Sequence, residues 1–343
     1  MGQSCKKECC SLLKYALMQH KQIRKPENSE TAMSLYHKRN MPTLAGRGII
    51  FFISLCLILL TSAFQPAKAW PSSATELDNF ISALEKQCKK YGWNDINLRE
   101  IPWEHHRLTK NKNPLIFAHY GNSDKNCVLF LGGVHGDELP TVYLMLRLAH
   151  YIKNNGQLFN DRCLVVAPVV NPDGFLANLP QRTNSNGIDA NRNFPTKDWH
   201  RDALRQWKNK ARSNKRYYPG TRPASEQETL FQMALIKRFS PQKILSVHSP
   251  LNFFDYDGAS SDLDTFEQWM EKICIESIHP LKKYGFFPGS LGNYAGNERG
   301  IFTLTLELPT SNPGKGNEYF RKFQTAIMKF INIPAKSRDS FSD

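Results

Sequence analysis

Apolar residues at Leu77, Phe80, Ile81, Leu84 and Cys88 follow the spacing of one helical face, directly after the capping-box pattern Ser73-Ala-Thr-Glu76. They predict an amphipathic helix that ends near Gly92. The period then changes. Cys127-Val-Leu-Phe-Leu131, Cys163-Leu-Val-Val-Ala-Pro-Val-Val170, Lys243-Ile-Leu-Ser-Val247 and Ile301-Phe-Thr-Leu-Thr-Leu306 are short apolar runs without polar alternation. Runs of this kind are expected of strands covered on both faces. Helical stretches lie between them, Leu139 to Asn154 and Ser225 to Phe239, the second opened by another capping box, Ser225-Glu-Gln-Glu228. Alternating strands and helices predict an α/β fold: a single domain with a central mixed, mostly parallel sheet flanked by helices. In such sheets sites form at the carboxyl ends of strands.

The chain has 343 residues, enough for a sizeable core, and its 41% apolar and 22% charged content fits a globular protein. The net charge of +14 is uneven, because residues 1–69 carry ten Lys/Arg against three acids. The rest is only moderately basic and lacks a helix-turn-helix or aromatic-basic stripe, which argues against nucleic acid as a partner. One basic cluster stands out, with nine Lys/Arg and two Asp in residues 196–222. It reads either as a solvated surface segment or as a patch that attracts an anionic polymer such as a cell wall.

The longest apolar run spans Ile49 to Phe64, with Arg47 before it and Ala67-Lys-Ala69 after it. That pattern describes a secretory signal peptide over residues 41–69, cleaved after Ala69. The competing reading is a membrane anchor through residues 49–64, and the membrane is a partner only through this segment. Residues 1–40 read as an extension ahead of a natural start at Met41. The catalytic domain is then 70–335, followed by a disordered tail at 336–343, and the expected location is periplasmic or secreted. Cleavage leaves four cysteines, Cys88, Cys127, Cys163 and Cys274, with no C-x-x-C pair. Cys127 and Cys163 each open a predicted strand. They pair if those strands are neighbours in an oxidising compartment, or stay as buried thiols.

Four segments carry candidate chemistry. In Gly132-Gly-Val-His135-Gly-Asp-Glu138, a His and a Glu three apart at a helix start share one face, about 5–6 Å apart at Cβ, so one zinc ion can accept both. His248, just past a strand in Ser246-Val-His248-Ser, is placed as a third ligand, and His₂Glu plus water is a known catalytic zinc set. Glu307 ends the run Thr305-Leu-Glu307, where an acid is costly to bury without a purpose, and it reads as a general base. Arg182 and Arg192 flank an amide-rich loop, and arginine binds a carboxylate such as a peptide C-terminus through two parallel bonds.

The motifs H-G-D-E, N-P-D-G, D-A-N-R-N-F, S-V-H-S and T-L-E-L, in this order over residues 112–335, resemble the zinc carboxypeptidase family of the carboxypeptidase A type. The resemblance implies one Zn²⁺ per chain on His135, Glu138 and His248, with Glu307 as base and proton shuttle. It implies Arg192 with Asn191 as the clamp for the substrate's terminal carboxylate and Arg182 as the oxyanion donor. It also implies Asp189 as the carboxylate that orients His135, and Tyr284 as a mobile substrate-binding tyrosine.

Three further segments, His248-Ser-Pro-Leu251, Phe287-Pro-Gly-Ser-Leu-Gly292 and Tyr217-Tyr-Pro-Gly-Thr-Arg-Pro-Ala-Ser-Glu226, resemble the murein peptide amidase branch. That likeness implies hydrolysis between γ-D-glutamate and meso-diaminopimelate in murein stem peptides. Where digestive relatives carry a side-chain selector, Leu291 offers no acid, which argues against simple Lys/Arg specificity. Asp255 or Asp257 can meet the diaminopimelate ammonium, or be ordinary turn acids. The alternatives are a general metallocarboxypeptidase, or an amidohydrolase of the succinylglutamate desuccinylase or aspartoacylase kind.

Overall fold

The structure, a computed structural model, describes residues 74–123, 126–257 and 285–332. All of them belong to one compact unit, Ser72–Asp343. The predicted extension, signal segment, Ser73 cap, Cys274, Tyr284 and tail lie outside the described residues.

Among the described residues seven strands form one mixed sheet: β1 Trp103–Leu108, β2 Pro114–Tyr120, β3 Val128–Leu131, β4 Leu164–Ala167, β5 Lys243–His248, β6 Phe253–Tyr256 and β7 Phe302–Glu307. Their order is β1-β2-β4-β3-β5-β7-β6. The four central strands, β4, β3, β5 and β7, run parallel, whereas β1, β2 and β6 join antiparallel at the margins.

The continuous apolar runs are explained by two cores. Val128 and Phe130 of β3, with Leu164 and Val166 of β4, face one core. Helices α1 Ala74–Lys90 and α2 Leu139–Asn154 and the C-terminal helix Gly316–Asn332 close it. Leu129, Leu131, Val165 and Ala167 face the second core. There they meet Phe231, Leu235 and Ile236 of the helix Gln227–Phe239, and Leu291, Tyr294 and Ala295 around the π-helical turn Gly292–Asn297. Successive strand residues point to opposite faces, so a strand clad on both sides needs an apolar residue at every position.

One expectation changes. The box at Ser225 does not cap its helix: Gln227–Phe239 has Glu226 as N-cap with no side-chain cap bond. Ser225 is drawn instead to Asn193, whose Oδ1 accepts from its backbone N at 2.9 Å. The open question of the cysteines resolves to a disulfide between Cys127 and Cys163. Val128 pairs with Leu164 in the parallel register, so the residues just before them stand side by side. Cys88 is the free cysteine among the described residues, and burial pushes its thiol up to about 12. Among these residues no helix is long and apolar enough to cross a membrane.

Candidate active site

The site sits at the carboxyl ends of β3, β5 and β7. After β3 the chain turns through Gly132 and Gly133, where φ is +55° and a Cβ would press on Val142. His135 follows. Glu138 is the N-cap residue of α2, but its carboxylate caps nothing. Thr141 closes this turn instead, its hydroxyl donating to Glu138 O at 2.6 Å and accepting from Gly133 N at 3.0 Å. The Glu138 carboxylate is thereby left to the histidines.

Its Oε1 lies 2.7 Å from His135 Nδ1, and its Oε2 lies 3.0 Å from His248 Nδ1. The two Nδ1 atoms are 3.2 Å apart. Ligand atoms on a tetrahedral zinc with bonds near 2.0 Å stand about 3.3 Å from one another. The outward ring nitrogens are both engaged, His135 Nε2 with Asp189 Oδ1 at 3.1 Å and His248 Nε2 with Ser246 Oγ at 3.1 Å. Each imidazole therefore turns its Nδ1 inward, and Ser249 N donates to Glu138 Oε2 at 3.2 Å. Among the described residues these three form the one cluster whose donors converge closely enough for an ion, and the donor set fits zinc. Burial alone would raise the Glu138 carboxyl, but His135 and His248 outweigh it and hold it below the usual range.

Sheet register supplies the next wall. Ser246 and His248 of β5 pair with Thr305 and Glu307 of β7, which pair with Asp255 and Phe253 of β6. Alternation turns these six toward one cavity of about 640 Å³, while Leu304, Leu306, Phe254 and Tyr256 face the core. Glu307 thus stands beside His248. Burial pushes its carboxyl up to about 7 against the pull of His248, and Leu251 N donates to its Oε2 at 3.4 Å. Asp255 and Asp257 are buried in the same cavity. Gly292 lies against Asp257, whose carboxylate a Cβ there would strike. Position 291 is indeed apolar, yet the fold sets Asp257 against its neighbour Gly292 and places Asp255 in the same cavity, so the lack of an acid in the sequence there does not make the pocket uncharged.

The two arginines take distinct posts. Arg182 reaches Asp189 Oδ2 through Nε and Nη2 at 3.1 and 3.0 Å, and its Nη1 lies 3.2 Å from Glu138 Oε1 and 3.1 Å from His135 Nδ1. Its guanidinium lies over the Tyr217 ring, 5.0 Å from the centroid. Burial works against its charge, but Asp189 and Glu138 more than offset it. Arg192 lines the cavity with its guanidinium 4.5 Å from the Phe287 ring centroid, and its Nη1 donates to Asn191 O at 2.7 Å. Asn191 Oδ1 accepts from Leu291 N at 2.8 Å. Tyr284 lies outside the described residues, so its post stays an expectation.

Sequence reasoning passed over several contributors. Ser246 was readable in Ser246-Val-His248, since strand alternation puts residues two apart on one face. Trp207, Lys210, Arg216 and Tyr217 also line the cavity. They come from the basic segment; Tyr217 also opens one of the segments that resemble the murein peptide amidase branch, whereas Trp207, Lys210 and Arg216 carry no local signal of a site.

The sequence model of the zinc carboxypeptidase family matches residues 103–280, a little over half of the chain. Murein peptide amidase A of Escherichia coli strain K12 is 28% identical over 221 residues, covering 63% of this chain and 85% of that protein. Murein peptide amidase A of Vibrio campbellii is 31% identical over 188 residues, 53% of this chain and 68% of the relative. Among solved structures, carboxypeptidase A from Helicoverpa armigera superposes with a TM-score of 0.59 at 15% identity, covering 85% of this chain and 81% of that one, a likeness of fold. The family match, spanning the strands and loops that bring His135, Glu138 and His248 together, makes this chain a member of the zinc carboxypeptidases, hydrolases of peptide bonds.

Proposed function

We propose that this protein is an exported murein peptidase that cuts between γ-D-glutamate and meso-diaminopimelate in cell-wall stem peptides. The observation that carries the substrate is the pair of buried acids, Asp255 and Asp257, in the cavity that also holds Arg192. Diaminopimelate ends in a carboxylate next to the scissile amide and bears a second amino acid centre on its side chain. A clamp for the first and an anionic pocket for the ammonium of the second suit that shape. Two relatives named murein peptide amidase A support the reading.

His135, Glu138 and His248 would hold the zinc ion, which would supply Lewis acidity and bring the pKa of a water down toward about 7. Arg192 and the Asn191 amide hold the terminal carboxylate. Glu307 takes a proton from the attacking water and later delivers it to the leaving amine. Arg182, fixed by Asp189, donates to the oxyanion as charge develops. Export follows from the segment 41–69, with Trp70 as mature N-terminus, to be checked by sequencing the exported protein.

Incubating the zinc-loaded protein with L-alanyl-γ-D-glutamyl-meso-diaminopimelate tests the proposal. Free diaminopimelate is the expected product. Release of ordinary C-terminal residues alone, or cleavage of N-succinylglutamate instead, overturns the substrate assignment.

A further inference from the structure

Two contact chains lead away from the three converging donors. One runs through Asn191 and Arg192 to Phe287, Leu291, Gly292 and Asp257. The other runs through Arg182, whose Nε donates to Arg216 O at 3.1 Å and whose guanidinium covers Tyr217. From there Arg216 turns its own Nη1 to Asp137 Oδ2 at 2.6 Å, beside the metal-binding turn. Lys210, exposed at the end of the helix Trp199–Asn209, lines the same cavity as Arg216 and Asp137.

The Proposed function, on which this inference rests, puts the terminal carboxylate at Arg192 and the scissile amide at the donors. The acyl side of the substrate must then leave along the other chain, past Arg182, Tyr217 and Arg216. An α-linked residue offers neutral backbone at that place. A γ-linked acidic residue has spent its side-chain carboxyl on the amide, so its α-carboxylate remains free and negative there. Lys210 and Arg216 line this cavity with two positive charges, of which Arg216 is paired with Asp137. Arg216 has five donors on its fork and, among the described residues, uses one on Asp137.

We propose that Lys210 and Arg216 form an anion subsite for the free α-carboxylate of the γ-linked residue on the acyl side of the scissile bond. They determine specificity by selecting a γ-linkage and do not touch the reacting atoms. Because both side chains are solvent-exposed, the discrimination they provide weakens with salt.

The test uses the zinc-loaded full chain and two tripeptides, one with the free α-carboxylate on the γ-linked residue and one with that carboxylate converted to a carboxamide. Wild type is expected to favour the acid form by about tenfold in kcat/KM, through KM. The double variant K210Q/R216Q should bring this ratio to about two. Equal use of both tripeptides by wild type overturns the subsite. So does a double variant that keeps the ratio, or one that slows on both forms in equal proportion. If wild type cuts neither tripeptide while releasing other C-terminal residues, the substrate reading itself has failed and the subsite falls with it.

Discussion

Asp189 Oδ1 lies 3.1 Å from His135 Nε2, the ring nitrogen on the far side from the converging donors. Asp189 is fully buried, and burial alone would raise its carboxyl. Arg182 and then His135 overcome this and hold it well below the usual carboxylate range. A charged acceptor at Nε2 keeps the proton on that nitrogen and the Nδ1 lone pair inward. Asp189→Asn retains an acceptor but removes the charge. Zinc affinity in a competition titration should fall about 10- to 100-fold. Unchanged affinity would mean that His135 is oriented by packing alone.

Glu307 is placed by register, opposite His248 in the parallel pair of β5 and β7. It belongs to the strand face that lines the cavity, so Glu307→Gln fits the same space without a base. The expected result is a fall in kcat of about 10²–10⁴ with zinc content unchanged. A variant that keeps normal turnover would assign the proton transfer elsewhere.

Asp257 packs against Gly292 in the cavity wall. Asp257→Asn should lower kcat/KM for the diaminopimelate tripeptide about 10- to 100-fold, chiefly through KM. A tripeptide ending in an uncharged residue of similar length should lose far less. Equal losses on both would show that Asp257 supports the wall rather than reading the ammonium.

Glu228 bears on stability. It is buried beneath the loop that carries Arg182 and Arg192, and Asn184 Nδ2 donates to its Oε2 at 2.8 Å. Among the described residues its Oε1 has no hydrogen-bond partner, and burial, with Asp173 and Glu226 nearby, pushes the carboxyl up from 4.5 to about 7. Between these values the folded chain holds a proton that the unfolded chain has lost. Stability therefore falls as pH rises from 4.5 through about 7 and stays lower above. Glu228→Gln should stabilise the protein at pH 8.5 by on the order of 1–3 kcal/mol and bring no gain at pH 4.5. Denaturant melts at the two pH values measure this, and an equal effect at both would refute it.

The central strands, α2 and the pairing of His135 with Glu138 were legible because their signals are local. A strand clad on both faces writes an unbroken apolar run, and H-x-x-E sets its own geometry at a helix start. β1, Trp-Glu-His-His-Arg-Leu, wrote no such run, since this margin strand is only half-buried. β6 has four residues, too few to show alternation. The acids of the cavity were visible as residues but not as a pocket. Asp257 meets Gly292, and Asp255 joins it in the cavity wall, only through the pairing of β6 with β7 and the turn before it. The box at Ser225 failed because a distant residue, Asn193, binds Ser225 N and Glu226 N through its Oδ1 and overrides the local rule. The post of Arg216 beside Asp137 spans 79 positions and left no trace in either neighbourhood.

The account turns on whether His135, Glu138 and His248 together hold one divalent ion. Zinc bound per chain, measured after metal stripping and re-equilibration with a limiting zinc buffer, addresses this directly in wild type and in His248→Ala. We expect one equivalent in wild type and almost none in the variant under the same free zinc. A wild-type chain that takes up no zinc, or a variant that retains a full equivalent, would contradict it.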